Sequence, residues 1–367
     1  MRMGINVSLV SSTATYRQTG VSRYISELEN ALRTHLPDGD SLVRMGDSHN
    51  RLRQWPPARL VWEQTVLAMN ARRERLDVLH SPVNVVPLAW GGASVVTVHD
   101  LAFLRDPDHV SLRRRAWLGM AVKRSVRAAD RVIAVSTNTA DDLTDWVDVP
   151  RSRIDVIPSA PSPQIRPVRG QALDTFRERR GITRPFVLAV GTLEPRKNLP
   201  TLLRAFAAIR GKLPHDLVMI GPDGWMTGEL WRTIRELDLG GRLRMTGFVS
   251  DDELGAWYSA ADLFAFPSYY EGFGLPAVEA MRCGAPVLAS DTSCFPEVVG
   301  DAGLLLPPDD VGGWADAMTM LLQDSQAREQ MAGRGQERAS RFTWERTATL
   351  TRAAYGDAVR LARRGPA

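Results

Sequence analysis

Between Phe264 and Pro286 the chain reads FAFPSYYEGFGLPAVEAMRCGAP, which sets two carboxylates, Glu271 and Glu279, around a glycine-rich turn. The apolar run Leu263 to Phe266 has the character of a buried strand. Gly272 and Gly274 let backbone approach a ligand, and Pro276 suits the first turn of a helix running through Met281. A helix that begins there presents unpaired N–H groups and the positive end of its dipole, an arrangement that favours phosphate. Glu279, close to that end, can accept hydrogen bonds from a vicinal diol such as ribose. The plainer reading is that both acids only complement the helix dipole.

The same stretch supports a second chemistry. Gly272, Gly274 and Ala277 spell G-x-G-x-x-A after a strand, and Asp291 follows the next strand, as in a dinucleotide fingerprint. Against it stand the late position in the chain, the proline inside the turn and the carboxylate just before it, which repels pyrophosphate unless cations come from elsewhere. Such cations exist in FVLAVGTLEPRKN, Phe186 to Asn198, where a hydrophobic run ends in Gly191 and delivers Arg196 and Lys197 ahead of the helical pattern LPTLLRAFAAI. Arg196 can grip phosphate oxygens bidentately and Lys197 can act as a point charge, so together they would neutralise a diphosphate over the glycine turn. Alone, such a pair reads as a solvated surface pair.

The order VGTLEPRKNL, LVMIGP, RMTGFVSDDELGAWYSAADLFAFPSYYEGFGLPAVEAM and GAPVLASDTSCFPEVVGDAGLLLPPDD resembles the nucleotide-sugar half of a retaining family 4 glycosyltransferase. GVSRYISEL, LHSPVNVVPL, VVTVHDLAFLRDPD and ADRVIAVSTNTADDL resemble the acceptor half, especially of the mannosyltransferase-like branch, so that the likeness runs from Gly4 to Phe342. It implies an α/β chain of two Rossmann-like parallel-sheet domains facing a central cleft, the GT-B fold. It also implies a retaining, metal-independent hexosyl transfer from a nucleoside-diphosphate sugar to a glycan hydroxyl, with a lipid-linked acceptor in cell-surface polysaccharide assembly the first expectation and natural-product glycosylation the second.

Roles follow from the resemblance together with the residues. Arg196, Lys197 and the backbone near Gly274 would stabilise charge on the leaving phosphate. Glu271 would hold the donor sugar's hydroxyls with the backbone of Phe273, Gly274 and Leu275, and Glu279 the ribose. Gly191 joins the donor-binding positions, and Gly247, Phe248 and Val249 in TGFVS would border the nucleobase. From the first half, Gly20 in TGVSRY would offer its N–H to a phosphate, with Thr19 where the family usually has another glycine. His99 ends the apolar run SVVTV and would meet a sugar hydroxyl, a structural histidine satisfied by backbone being the alternative. His80 also follows an apolar run, and no histidine has metal-ligand spacing. Asp106 to Asp108, DPD, looks like the metal signature of other sugar transferases but reads as surface loop, so no cofactor and no metal is expected.

Composition fits this class. A length of 367 residues suggests two domains, and 44% apolar with 24% charged residues is ordinary for a globular enzyme. The isoelectric point near 9.3 arises from 46 basic against 42 acidic residues, too balanced and too spread for a nucleic-acid partner. Cys283 and Cys294, the only cysteines, argue for a reducing compartment and read as inert. Neither a signal peptide nor a membrane span is legible, so the expected location is cytoplasmic. Arg113, Arg114 and Arg115 open a basic amphipathic pattern reaching Ala129; it packs on a sheet or, in the second reading, touches anionic headgroups on the cytoplasmic membrane face.

The elements that must position these residues alternate between strand and helix patterns, the signature of parallel sheets covered on both faces. INVSLV, VLHS, SVVTVHD, RVIAVS and IDVIPS are the expected strands of the first half, with helices over Ser22 to Leu36, Arg59 to Arg75 and Ser111 to Ala129. FVLAVG, DLVMIG, LRMTGF, LFAFPS, PVLAS and GLLLP repeat the scheme. The proline-rich segment Pro158 to Gly170 reads as the linker. The expected domains are 1–165 and 170–344, and the resemblance implies that a C-terminal helix over 345–364 folds back onto the first. Three other classes compete: a nicotinamide-dependent oxidoreductase using the G-x-G-x-x-A turn, a non-catalytic binding module, and a nucleotide-sugar epimerase or glycan phosphorylase.

Overall fold

A computed structural model of the chain describes residues 1–10, 20–46, 56–105 and 112–364. The chain divides into two compact units, one formed by Met1–Ser159 with Thr343–Ala367 and the other by Ala160–Phe342.

The first unit is built on a six-stranded parallel sheet in the order β2-β1-β3-β4-β5-β6. Its strands are β1 (Arg2–Asn6), β2 (Ser41–Met45), β3 (Val78–Ser81), β4 (Ala93–Val98), β5 (Arg131–Ala134) and β6 (Ile154–Val156). Every residue of β4 is buried, as a central parallel strand requires. On one face Val95 and Ile133 pack with Tyr24, Ile25 and Leu28 of helix Gly20–Thr34 and with Ala354 and Tyr355 of helix Trp344–Arg364. On the other, Val96, Val98 and Val132 pack with Val122 and Val126 of helix Leu112–Ala128 and with Leu143 of helix Thr137–Val147.

Three sequence expectations change here. Strand β1 starts at Arg2 and stops at Asn6, because the Asn6 side chain accepts from the Ser8 backbone N–H at 3.1 Å and turns the chain out of the sheet. Strand β2 was absent from the expected set: it lies at the sheet edge, and Arg44, exposed in its middle, interrupts the apolar run. The expected helix from Arg59 to Arg75 is α-helical over Pro56–Trp62 and Ala68–Arg73 but π-helical over Glu63–Leu67. Glu63 is buried within that π segment, 3.2 Å from Ser8 Oγ, and burial raises its pKa.

The second unit repeats the plan with strand order β12-β11-β10-β7-β8-β9, again fully parallel. Its strands are β7 (Phe186–Val190), β8 (Asp216–Ile220), β9 (Leu243–Gly247), β10 (Leu263–Phe266), β11 (Val287–Ser290) and β12 (Leu304–Leu306). Leu202, Leu203 and Phe206 of helix Leu199–Ile209 and Trp314, Met318 and Leu321 of helix Val311–Gln323 cover one face. On the other, Trp257 and Tyr258 of helix Asp251–Ala260 set their rings edge-on against Phe186 and Phe264. The order reverses between β7 and β10. In open α/β sheets the crevice outside the carboxyl ends of the strands at such a reversal is where ligands bind.

Candidate donor-binding site

Both loops at that reversal carry charge. After β7 the chain passes Gly191 and Glu194 into a short 3-10 turn, Pro195–Lys197, and Asn198 ends the turn in a left-handed conformation at φ +49°. After β10 it runs through Glu271 to Gly274, whose φ of +74° places it as the cap of helix Leu275–Cys283. Since β7 and β10 are hydrogen-bonded neighbours, the loops lie side by side. Lys197 Nζ sits 2.5 Å from Glu271 Oε1, and Arg196 Nη1 sits 3.0 Å from Glu271 Oε2. Arg196 also reaches Glu194 Oε1 and the Tyr270 carbonyl, each at 2.5 Å. The Lys197 ammonium stands 4.9 Å above the Phe266 ring, a cation–π contact that holds the lysine against the tip of β10.

The electrostatics follow from the pairing. Burial pushes the Glu271 pKa up, but the charges of Arg196 and Lys197 outweigh it and hold the carboxyl down at about 2. Glu271 is therefore ionised at neutral pH. Expectation placed two cations before a diphosphate; the structure shows them with their charge balanced by Glu271 and Glu194. The carboxylates keep buried cations from standing unpaired and fix where their donors point. An ammonium carries three donors, of which Glu271 takes one, and a carboxylate has acceptor capacity beyond two contacts. The cluster can thus still meet phosphate oxygens on the cationic side and hydroxyl groups on the anionic side.

Next to the cluster, side chains vanish from the strand tips. Gly191 N–H donates to the Ile220 carbonyl at 2.9 Å, and Gly221 N–H to the Gly247 carbonyl at 3.0 Å. A Cβ on Gly221 would fall 1.9 Å from the Gly191 carbonyl oxygen, so only glycine allows the two backbones to approach this closely. The carboxyl ends of β7, β8 and β9 consequently offer bare backbone, bordered by Phe248, which is 48% exposed, and half-buried Val249. A planar base could lie on such a surface.

Of the other expected donor-site residues, Phe273 is buried with its ring edge-on to Phe342, and Leu275 is half-buried at the start of its helix. Glu279 lies further along that helix, buried, and accepts from the Tyr258 hydroxyl at 3.0 Å. Glu279 and Lys197 are thus both interior groups, contrary to the dipole-complement and solvated-pair readings. Cys283 and Cys294 are buried free thiols, and burial raises both pKa values, which suits inert side chains.

His99 and Gly20 belong to the first unit. His99 follows β4 and donates from Nε2 to the Pro82 carbonyl at 2.9 Å, which leaves Nδ1 as its acceptor. Its ring stands edge-on to Tyr24 at 4.6 Å, and burial lowers its pKa, which favours the uncharged ring. The backbone tie anticipated for a structural histidine is present, and it also fixes the tautomer. Gly20 is the exposed first residue of its helix. Thr19 and Asp106 to Asp108 lie outside the described residues, as do the side chains of Arg113 to Arg115.

Sequence reasoning passed over several residues that shape these sites. Glu194, Asn198, Tyr258, Gly221 and Ser293 gave no local signal, since their roles depend on partners brought in by the sheet. His80, noted in the sequence only for following an apolar run, is buried, its Nδ1 2.7 Å from the Tyr355 hydroxyl and its Nε2 2.8 Å from Thr97 Oγ1. Burial drives its pKa down to about 3. Among the described residues no cluster of three or more His, Cys, Asp or Glu is gathered as for a metal ion, and no helix is long and apolar enough to cross a membrane.

Known protein families resemble the chain in both of its units. The family model described as Glycosyl transferases group 1 matches residues 173–338, and that described as Glycosyltransferase Family 4 matches residues 2–160. O-antigen chain mannosyltransferase B of Escherichia coli is 33% identical over 289 residues, covering 76% of this chain and 74% of that protein. The serotype-specific mannosyltransferase WbdA of E. coli is 30% identical over 228 residues, which take in 60% of this chain and 28% of that longer protein. Sucrose-phosphate synthase of Thermosynechococcus elongatus superposes with a TM-score of 0.76 at 22% identity, covering 97% of this chain and 98% of its own.

Proposed function

We propose, since this chain belongs to the group 1, family 4 glycosyltransferases, that it moves mannose or a related hexose from a nucleoside-diphosphate sugar to a hydroxyl of a glycan, with retention of anomeric configuration. The observation that carries the reading is the Arg196–Lys197–Glu271 cluster beside the N-terminus of helix Leu275–Cys283, at the strand-order reversal. The cations and helix terminus suit a diphosphate, while Glu271 suits the hydroxyls of the sugar attached to it. Glu279 would take the ribose, and Gly247 to Val249 would border the base. Of the first unit's residues, His99 would meet a sugar hydroxyl and Gly20 a phosphate oxygen.

In the reaction the bond from the anomeric carbon to the β-phosphate oxygen breaks and a bond to the acceptor oxygen forms on the same face. The acceptor's proton passes to the departing phosphate. Charge develops on that phosphate, where Arg196, Lys197 and the helix N–H groups stabilise it, so neither a protein nucleophile nor a divalent ion is required.

The mannosyl donor and the polysaccharide acceptor are favoured by the E. coli relatives, one named an O-antigen chain mannosyltransferase and the other a serotype-specific mannosyltransferase. A lipid-linked acceptor fits a peripheral position on the cytoplasmic membrane face, for which helix Leu112–Ala128 offers exposed Met120, Arg124 and Arg127. The test is a panel of GDP- and UDP-sugars with lipid extracts as acceptors, run with and without EDTA, and with product configuration read by NMR. Donor turnover that needs a divalent ion, or an inverted product, overturns the mechanism.

A further inference from the structure

Ser293 stands where backbone geometry favours glycine: its φ is +56°, in the left-handed region that costs a residue with a Cβ about 1 kcal/mol or more. Its hydroxyl accepts from the Glu271 backbone N–H at 3.1 Å and donates to the Glu271 carbonyl at 2.6 Å, so one side chain satisfies both backbone polar groups of one residue. The preceding residue acts the same way, Thr292 Oγ1 donating to the Tyr269 carbonyl at 3.1 Å. The segment after β11 therefore laces down the loop after β10 at the position that carries the ionised carboxylate. Lys197 and Arg196 hold the Glu271 side chain from the other side.

We infer that Ser293 is a positioning residue for the transferred sugar: it fixes the Glu271 backbone so that the carboxylate, with its lone pairs already partly committed to two cations, presents the remainder in one direction. This rests on the reading of Glu271 as the group that holds the donor sugar. It explains why a strained serine occupies a position that glycine fills without strain. A glycine there keeps the turn and loses the tie.

The substitution Ser293→Gly separates the two effects. Glycine relieves the left-handed strain, so thermal stability is expected to hold or rise. In the unliganded protein, hydrogen exchange of the segment 267–274 is expected to speed up, since the Glu271 N–H loses its acceptor. With the best donor of the sugar-nucleotide panel, kcat/KM is expected to fall about tenfold, the worth of one hydrogen bond. The affinity of the matching diphosphate, GDP or UDP, which lacks the sugar, is expected not to change. Unchanged exchange in 267–274, unchanged kcat/KM, or a parallel loss of diphosphate affinity each overturns the inference. Lys197→Ala, assayed alongside, reports on the underlying site: a variant with full diphosphate affinity and turnover sinks the donor-site reading itself, whatever Ser293→Gly does.

Discussion

Lys197 and Glu271, separated by 74 positions in the chain, meet at 2.5 Å in the interior of the second unit. A buried ion pair is a poor source of stability, since desolvation offsets most of its attraction, yet removing one partner leaves the other uncompensated. Its presence where β7 and β10 deliver their loops is better explained by function.

Lys197→Ala should lower turnover about thirtyfold, equivalent to about 2 kcal/mol of charge-assisted contact with the leaving phosphate. Stability should fall by less than the roughly 3 to 5 kcal/mol of a fully orphaned buried charge, because Arg196 still engages the other Glu271 oxygen. Initial rates and urea unfolding of the same preparation check both figures.

Glu271 predicts an acid limb in stability. Its folded pKa of about 2 lies below the ordinary 4.5, so it adds stability that is complete above pH 4.5 and fades as pH falls towards 2. The amount is of the order of 3 kcal/mol. Between those pH values the unfolding free energy of wild type should drop more steeply than that of Glu271→Gln. Above pH 5 ionisation of Glu271 should leave no inflection in the rate profile.

His80 acts in a different window. Its folded pKa of about 3 lies below the ordinary 6.5, so the unfolded chain takes up a proton that the folded one refuses, and stability falls as pH drops from 6.5 towards 3. His80→Gln should remove up to one proton's worth of that slope, about 1.4 kcal/mol per pH unit, while weakening the ties to Tyr355 and Thr97. Since His99 and His215 are also lowered by burial, part of the slope should survive. Unfolding midpoints measured at half-unit steps of pH test this.

Two glycines should respond in opposite ways. Gly221→Ala drives a Cβ to 1.9 Å from the Gly191 carbonyl oxygen and should unseat the loops over β7 and β8, costing roughly 2 kcal/mol or more along with donor affinity. Gly20→Ala meets nothing within 4 Å among the described residues and should leave stability within about 0.5 kcal/mol of wild type. Thermal melts with and without GDP or UDP distinguish the pair.

Much of this was legible in the residues. The apolar runs FVLAV, LFAF and VLAS and the alternation of strand and helix announced two parallel sheets, because buried central strands leave uninterrupted hydrophobic stretches. Helix Trp344–Arg364 was legible for a similar reason: its apolar stripe has helical period. Edge strand β2 was not, since half-exposed strands admit charges such as Arg44. The types of the site residues could be read, whereas their mutual neutralisation could not, because it depends on β7 and β10 lying side by side despite the strands between them in sequence. Asn198 and Ser293 were illegible for another reason: positive φ at a residue other than glycine leaves no compositional trace.

The path of the backbone has a consequence for synthesis. Residues 160–342 form one unit, and helix Trp344–Arg364 then supplies Ala348, Ala354, Tyr355 and Ala358 to the core of the other. A ribosome that emits this polypeptide from its amino end finishes the later-encoded lobe while the earlier one still lacks part of its interior. The lobe begun first is completed last, and during that delay its uncovered sheet face is what a chaperone would meet.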